Sequence, residues 1–170
     1  MKQVNGRYRH TIGKPTDSAY FVGYGDSEIA AQEYARKAAF RACPILVGFL
    51  SCALEDLQHT ESDESCMEER TERDSGTIYD CPPDVFEWAR THCAEFLRAQ
   101  IGNVEAALQH MTWDRIGSTF YMSAVGHGVA FTDDASAPCL EGLETWISER
   151  YYPASLDSLY FGDDGKVYSA

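Results

Sequence analysis

The stretch Gly126-His127-Gly128, set inside Phe120–Phe131, bears most heavily on the fold of this chain. The chain ends on a second glycine-marked stretch, Leu159-Tyr160-Phe161-Gly162-Asp163-Asp164-Gly165-Lys166-Val167-Tyr168. Glycine and Asp-Gly turns between aromatic and β-branched residues are typical of tight β-hairpins. We therefore predict one hairpin from strands 119–125 and 129–132, and another from strands 159–161 and 166–168.

The sequence between and before the two predicted hairpins has apolar residues at helical spacing. Residues 139–150 place Leu140, Leu143 and Ile147 on one face, which predicts a helix between the two hairpins. Upstream, Asp84 is a suitable cap for a helix over 85–100. Gly102-Asn103 should end that helix, and a shorter one should follow over 104–111.

The N-terminal third predicts two strands, at 7–14 and 19–25, followed by a helix over 26–42 that Asp26 or Ser27 can cap. In that helix the apolar residues Ile29 and Tyr34 follow helical spacing. Residues 44–54 are almost wholly apolar, so they should be buried as a strand or a helix. Gly48 and the Val and Phe content favour a central strand slightly, although Pro44 and the leucines also suit a helix.

A chain of 170 residues, 44% of them hydrophobic, has the size and composition of one globular domain. We predict an α+β fold in three parts. An N-terminal ββα(β) unit spans 1–54, an acidic insertion 55–80, and a C-terminal helix–hairpin–helix–hairpin unit 81–170. No apolar run is long enough to span a bilayer, and no apolar signal core is visible near Met1, so we expect a cytoplasmic protein.

Negative charge is concentrated in one segment. The chain has 27 acidic and 14 basic residues, a formal net charge of -13. Ten of the acids but only two arginines fall within 55–80, which gives that segment a net -8. Such a field repels nucleic acid and anionic membranes and attracts basic surfaces. The expected partner is thus a protein with a basic, nucleic-acid-binding surface, and the candidate binding residues are Glu61, Asp63, Glu64, Glu68, Glu69 and Glu72.

His127 is the candidate catalytic residue, if the protein is an enzyme. An imidazole between two glycines is uncrowded and can act as an acid, a base or a ligand, and Asp133 or Asp134 could orient it. The alternative is a plain turn, because two glycines suit any tight reversal and histidine tolerates positive φ better than most residues. No recognisable nucleophile motif accompanies His127, so the turn or binding role is favoured.

Six cysteines have no Cys-x-x-Cys spacing, and the closest Cys/His pair is His92-Cys93. Zinc motifs normally bring ligands in close pairs, so we expect free thiols, no bound metal and no cofactor. Gly23-x-Gly25 lacks the third glycine of a dinucleotide loop, and acidic Asp26 and Glu28 would repel a phosphate there.

The C-terminal half resembles a family of small, mostly uncharacterised proteins of bacteriophages and mobile elements. The resemblance covers about 85–168 and is carried by Gly-His-Gly-x-x-Phe-x-Asp from Gly126 to Asp133 and by Tyr-x-Gly-Asp-Asp-Gly-Lys-x-Tyr from Tyr160 to Tyr168. It implies a phage or mobile-element setting and no particular reaction. The sequence departs from the family pattern at Ser123-Ala124-Val125 and at Thr132, so the resemblance does not imply a shared polar site.

Taken with the charge, the resemblance leads us to expect an accessory protein that binds and inhibits a host protein. The target would be a defence system, such as a CRISPR effector or a restriction enzyme, and the acidic surface would mimic nucleic acid. Two alternatives stand beside it. One is a small hydrolase-like enzyme using His127 with Asp133 or Asp134, and the other is a structural or regulatory phage protein. The oligomeric state is not determined by the sequence.

Overall fold

The structure is a computed structural model that describes residues 2–4, 7–12, 21–60, 78, 81–133, 135–156, 159–161 and 167–169. Its elements run β1 Lys2–Val4, β2 Arg7–Ile12, β3 Phe21–Gly25, α1 Glu28–Ala42, α2 Ile45–Thr60, α3 Pro83–Ala107, α4 Trp113–Ala124, α5 Pro138–Tyr151, β4 Leu159–Phe161 and β5 Val167–Ser169. The predicted α+β class is confirmed. The chain divides into two compact units, Met1–Pro44 and Ile45–Ala170, so the first unit ends ten residues before the predicted boundary at 54.

The first unit is an antiparallel sheet in the order β1-β2-β3 with α1 against it. Strands β2 and β3 and helix α1 lie where the sequence predicts them, and β1 is an additional strand. Ser27 caps α1 by accepting a hydrogen bond from the Ala30 N–H at 3.1 Å. A Cβ on Gly23 would lie 1.9 Å from the Ala31 carbonyl oxygen, so glycine allows strand and helix to approach closely.

The face of α1 that packs inward is not the one its larger apolar residues suggest. Ala31, Ala35 and Ala39 are fully buried, whereas Ile29 and Tyr34 are 77% and 61% exposed. Small side chains are needed on the inner face because the helix lies so close to the glycines of β3. Ile29 and Tyr34, which follow helical spacing in the sequence, therefore lie on the exposed side of α1.

In the second unit, residues 45–60 form a helix, and the preference for a strand at 44–54 is wrong. The buried positions of α2 recur at helical spacing: Ile45, Leu46, Phe49, Leu50, Ala53, Leu54 and Leu57. Gly48, taken as a strand signal, instead lies where α2 crosses α4. A Cβ on Gly48 would be 1.9 Å from the Asp114 carbonyl oxygen, and a Cβ on Gly117 would be 2.1 Å from the Ile45 carbonyl oxygen.

The first predicted C-terminal hairpin is also wrong. Residues 113–124 form α4, whose cap Thr112 accepts a hydrogen bond from the Arg115 N–H at 3.3 Å. The helix ends in a Schellman motif, since His127 N–H donates to the Met122 carbonyl at 3.0 Å and Gly126 N–H to the Ser123 carbonyl at 3.3 Å. Gly126 has φ 85° and Gly128 φ 72°, so both glycines adopt a left-handed backbone. They do so after the end of a helix and not in the turn of a hairpin.

The remaining helices follow the prediction more closely. A kink at Gln100, where φ is -126° and ψ 17°, divides α3 into two helical segments, so the predicted break is confirmed but falls two residues before Gly102-Asn103. Helix α5 is confirmed within one residue at each end. Strands β4 and β5 pair antiparallel, with Tyr160 opposite Tyr168, which confirms the strands of the second hairpin. Its turn, 162–166, lies outside the described residues.

Aromatic side chains form the core of the second unit. The rings of Phe96 and Phe120 stack with centroids 4.4 Å apart, and Phe49 lies 5.1 Å from Phe120 and 5.3 Å from Tyr121. Trp146 and Tyr151 from α5 close this cluster with tilted and edge contacts. Within the described residues no single helix is long and apolar enough to cross a membrane. Helices α1 and α2 have the necessary length and composition only when they are counted together.

Substituting the crossing glycines tests this packing. We expect Gly48→Ala or Gly117→Ala to lower the free energy of unfolding by about 3 kcal/mol, because each added methyl meets backbone that cannot move aside alone. Gly102→Ala is the matched control: nothing lies within 4 Å of its added Cβ, so it should stabilise α3 by about 0.5–1 kcal/mol. Urea unfolding of the three variants measures the difference, and equal effects would contradict the close crossing.

Candidate functional site

Three polar side chains meet beside the α2–α4 crossing. Tyr121, near the end of α4, donates a hydrogen bond from its hydroxyl to Oδ2 of Asp56 on α2 at 2.8 Å. The other carboxylate oxygen of Asp56, Oδ1, lies 3.0 Å from Nε2 of His127. Asp56 therefore contacts two side chains at once, the Tyr121 phenol near the end of α4 and the His127 imidazole just after that helix.

The geometry fixes the tautomer of His127. An ionised carboxylate only accepts hydrogen bonds, so Nε2 carries the proton that points at Asp56. In the neutral imidazole, Nδ1 then holds the free lone pair. The side chain of Asp56 is 14% exposed and that of His127 is 44% exposed, so the imidazole can meet solvent or a partner while its carboxylate is largely covered.

Burial and the charge of Asp56 also raise the pKa values of two neighbouring side chains, Tyr121 and Cys52. Burial first, and then the hydrogen bond and charge of Asp56, raise the pKa of Tyr121 far above that of an ordinary phenol. Burial, followed by the charges of Glu55 and Asp56, raises the pKa of Cys52 to about 11. Cys52 lies one helical turn before Asp56 on α2. Its thiol therefore stays protonated near neutral pH, which is the opposite of what an activated cysteine nucleophile requires.

Asp133, predicted as a partner that could orient His127, has a different contact. Its Oδ2 accepts a hydrogen bond from the backbone N–H of Ala130 at 2.8 Å, which closes a local turn. The structure gives the orienting contact to Asp56 instead. Asp134 lies outside the described residues, as do Glu61, Asp63, Glu64, Glu68, Glu69 and Glu72.

A second carboxylate supports the chain around His127. Glu144 on α5 accepts a hydrogen bond from the hydroxyl of Ser123 at 3.1 Å through Oε1 and one from the N–H of Phe131 at 2.9 Å through Oε2. Phe131 itself is fully buried. These contacts bracket the exposed Gly126-His127-Gly128 turn on both sides.

His92 and Cys93 pack in the core of the second unit. Nδ1 of His92 lies 3.1 Å from the Tyr151 hydroxyl, and its ring packs edge-on against Trp88. Cys93 is fully buried. The structure places none of the cysteines at 43, 52, 81, 93 and 139 in a disulfide. Across the described ranges, no three His, Cys, Asp or Glu side chains are grouped closely enough to hold a metal ion.

Sequence reasoning identified His127 but missed Asp56, Tyr121 and Glu144. A signal for Asp56 was present, since it falls at helical spacing from Phe49 and Ala53 on the buried face of α2. An acid at such a position usually has a partner. Reading 44–54 as a strand removed that signal.

Comparison with known proteins gives no relative for this site: no protein-family model, no curated protein and no solved structure matches the chain.

The raised pKa values predict that stability falls at alkaline pH. Folding favours the protonated thiol of Cys52 and phenol of Tyr121. The contribution of Cys52 is complete below pH 9 and is lost as pH rises towards 11, and that of Tyr121 begins to fall above pH 10. We expect the free energy of unfolding to decline over this range. Cys52→Ser should remove about 1 kcal/mol of that decline, a value that allows for partial solvent screening of the half-buried thiol.

Urea unfolding at pH 7, 9 and 10.5 measures this decline. Cys139→Ser is the control at a second half-buried cysteine. A decline of the same size in the wild type and in Cys52→Ser would contradict the environment described for Cys52.

Proposed function

We propose that this protein is a phage or mobile-element accessory protein that binds and inhibits a host protein through its acidic segment, residues 55–80. One observation carries the proposal: this segment holds a net -8 of the chain's formal -13. The resemblance of residues 85–168 to phage and mobile-element proteins supports the genomic setting. The place of action that follows is the host cytoplasm.

Charge chemistry defines the proposed partner. A segment with ten acids and two arginines repels nucleic acid and is attracted to a surface that evolved to bind phosphates. Complementary charge mainly accelerates association and selects the partner. The proposed target is therefore a nucleic-acid-binding host protein, such as a CRISPR effector or a restriction enzyme, which the acidic segment would occupy as a mimic of nucleic acid.

The described residues at the two ends of the segment support such a role. On the N-terminal side, Asp56 is tied to Tyr121 and His127. On the C-terminal side, Cys81 is 1% exposed and its thiol donates to the Ile78 carbonyl at 3.3 Å, just before α3 begins. Helices α2 and α3 belong to the same compact unit and pack together. A segment held at both ends loses less entropy on binding than a free tail does.

Charge reversal tests the proposal against a matched control. Glu61→Lys, Glu64→Lys and Glu68→Lys together should slow association with the partner at least about tenfold at low salt, because steering depends on the local field. Glu28→Lys, Glu105→Lys and Glu149→Lys reverse three exposed acids elsewhere and change the net charge equally. They should slow association far less.

The partner is first captured from host lysate and purified, and association rates are then measured by surface plasmon resonance at low and at physiological salt. Raised salt should slow the wild type as well. If the segment variant associates at the wild-type rate, or if both triple variants slow association equally, the proposed binding segment is wrong.

One observation favours a second candidate, an enzyme that uses His127 as a general base. Asp56 contacts the imidazole through Nε2 at 3.0 Å, so in the neutral ring Nδ1 is the nitrogen that could take a proton. This is the carboxylate–imidazole pair of many hydrolytic sites. The neighbouring Cys52 and Tyr121 have raised pKa values, so neither is an activated nucleophile near neutral pH, and water would have to attack the substrate. The binding function therefore remains our proposal.

His127→Ala separates the two functions. The glycines set the turn, so the variant should stay folded and lose about 1 kcal/mol of stability with the half-exposed hydrogen bond from Nε2 to Asp56. A binding protein should keep most of its inhibitory activity. Gly126→Ala should cost about 1–2 kcal/mol, because φ is 85° there.

Inhibition of the captured partner and thermal unfolding are measured on both variants. A folded His127→Ala protein that still binds its partner but no longer inhibits it would support the general-base function. A folded variant that no longer binds would instead place His127 at the centre of the interface.

A further inference from the structure

One carboxylate from α5 joins the two ends of the loop that presents His127. This loop, residues 125–130, is called the His127 loop below. Ser123 at the end of α4 and Phe131 at the far end of the loop both donate to Glu144, at 3.1 and 2.9 Å. The two donors are eight residues apart in the chain, so Glu144 closes the loop in space.

The His127 loop needs such a restraint because of its composition. Gly126 and Gly128 both have positive φ, and among the described residues nothing beyond their own chain neighbours lies within 4 Å of where their side chains would begin. Glycines in open space have more accessible backbone conformations than other residues. The Schellman motif fixes only the entry to the loop, and the hydrogen bond from Ala130 to Asp133 fixes only a local turn near its exit. Glu144 is the contact that connects entry to exit.

A fixed loop matters because the contact it supports is short-ranged. His127 reaches Asp56 on α2, a helix separate from α4 and α5, at 3.0 Å. A small change in the path of the backbone between Ser123 and Phe131 would carry the imidazole out of hydrogen-bonding distance. The half-exposed position of His127 gives it little packing of its own to prevent this.

We propose that Glu144 is the positioning residue of His127. By holding Ser123 and Phe131 together, its carboxylate keeps the imidazole against Asp56 with Nδ1 directed away from that pair. The inference concerns the presentation of His127 and is independent of whether the protein inhibits a partner or catalyses a reaction.

The test reads the ring of His127 directly. Its ring proton and nitrogen resonances are recorded by two-dimensional proton–nitrogen NMR and identified by their absence in His127→Ala. Asp56→Ala supplies the reference spectrum for a broken contact. In Glu144→Ala we expect the His127 ring resonances to move to the positions seen in Asp56→Ala, while the resonances of the aromatic core keep their native dispersion.

Two further variants separate positioning from general loosening of α5. Glu141→Ala removes an exposed carboxylate on the same helix, which accepts only a long 3.4 Å bond from Ser136, and should leave the His127 resonances at their wild-type positions. Glu144→Gln should keep them near those positions. Its amide oxygen can accept from Phe131, and its NH₂ group can donate to the Ser123 hydroxyl.

Wild-type His127 resonances in a folded Glu144→Ala protein would overturn the proposal, as would an equal displacement in Glu141→Ala. If Glu144→Ala does not fold, Ser123→Ala takes its place, because it removes one of the two donors and leaves the carboxylate satisfied by Phe131. The His127 resonances should then move part of the way towards the Asp56→Ala positions. Unchanged resonances in Ser123→Ala would equally overturn the proposal.

Discussion

The close crossing of α2 and α4 is the constraint on which the second unit depends. Gly48 and Gly117 remove the side chains that would otherwise hold the two backbones apart. Tyr121 lies one turn beyond Gly117, and Asp56 lies about two turns beyond Gly48. The same approach that packs Phe49 against Phe120 therefore brings the Tyr121 hydroxyl to Asp56. A wider crossing would leave Asp56 without this donor.

Asp56 connects the core to the acidic segment. It is the last described acid of α2, which continues to Thr60 before the most negative stretch of the chain begins. Its carboxylate is largely covered and would be costly to bury without partners. Tyr121 and His127 supply them. The arrangement thus fixes one end of the charged segment and, by the same contacts, holds an exposed imidazole in one tautomer.

The surroundings of Asp56 stabilise the fold and do not activate Tyr121 or Cys52 as nucleophiles. Burial and negative neighbours favour the protonated forms of Tyr121 and Cys52, so neither is prepared to attack an electrophile near neutral pH. Among the described side chains of this site, the imidazole of His127 is the one that is both oriented and exposed. A surface residue that is held this firmly loses little entropy when it contacts a partner, which suits a binding interface as well as a proton acceptor.

The sequence by itself determined the features that depend on neighbouring residues. Ser27 and the helical spacing after it predicted α1, the pattern of Leu140, Leu143 and Ile147 predicted α5, and Asp-Gly predicted the pairing of β4 with β5. The left-handed backbone at Gly126 and Gly128 was also predictable, because it follows from the absence of a side chain. The charge of the acidic segment is likewise a property of composition alone.

Tertiary structure decided what depends on residues far apart in the chain. Periodicity does not separate a strand from a buried helix in the apolar run after Pro44, where the composition favoured a strand slightly, and packing against α4 makes Gly48 a crossing point. Gly126 ends a helix, where local sequence suggested a hairpin, because the aromatic residues before it have a core to enter on one helical face. His127 was visible in the sequence. The helical spacing of Asp56 showed that it needs a partner but not which one, and Glu144 carried no signal, because the local pattern does not say which side chains of separate helices will meet.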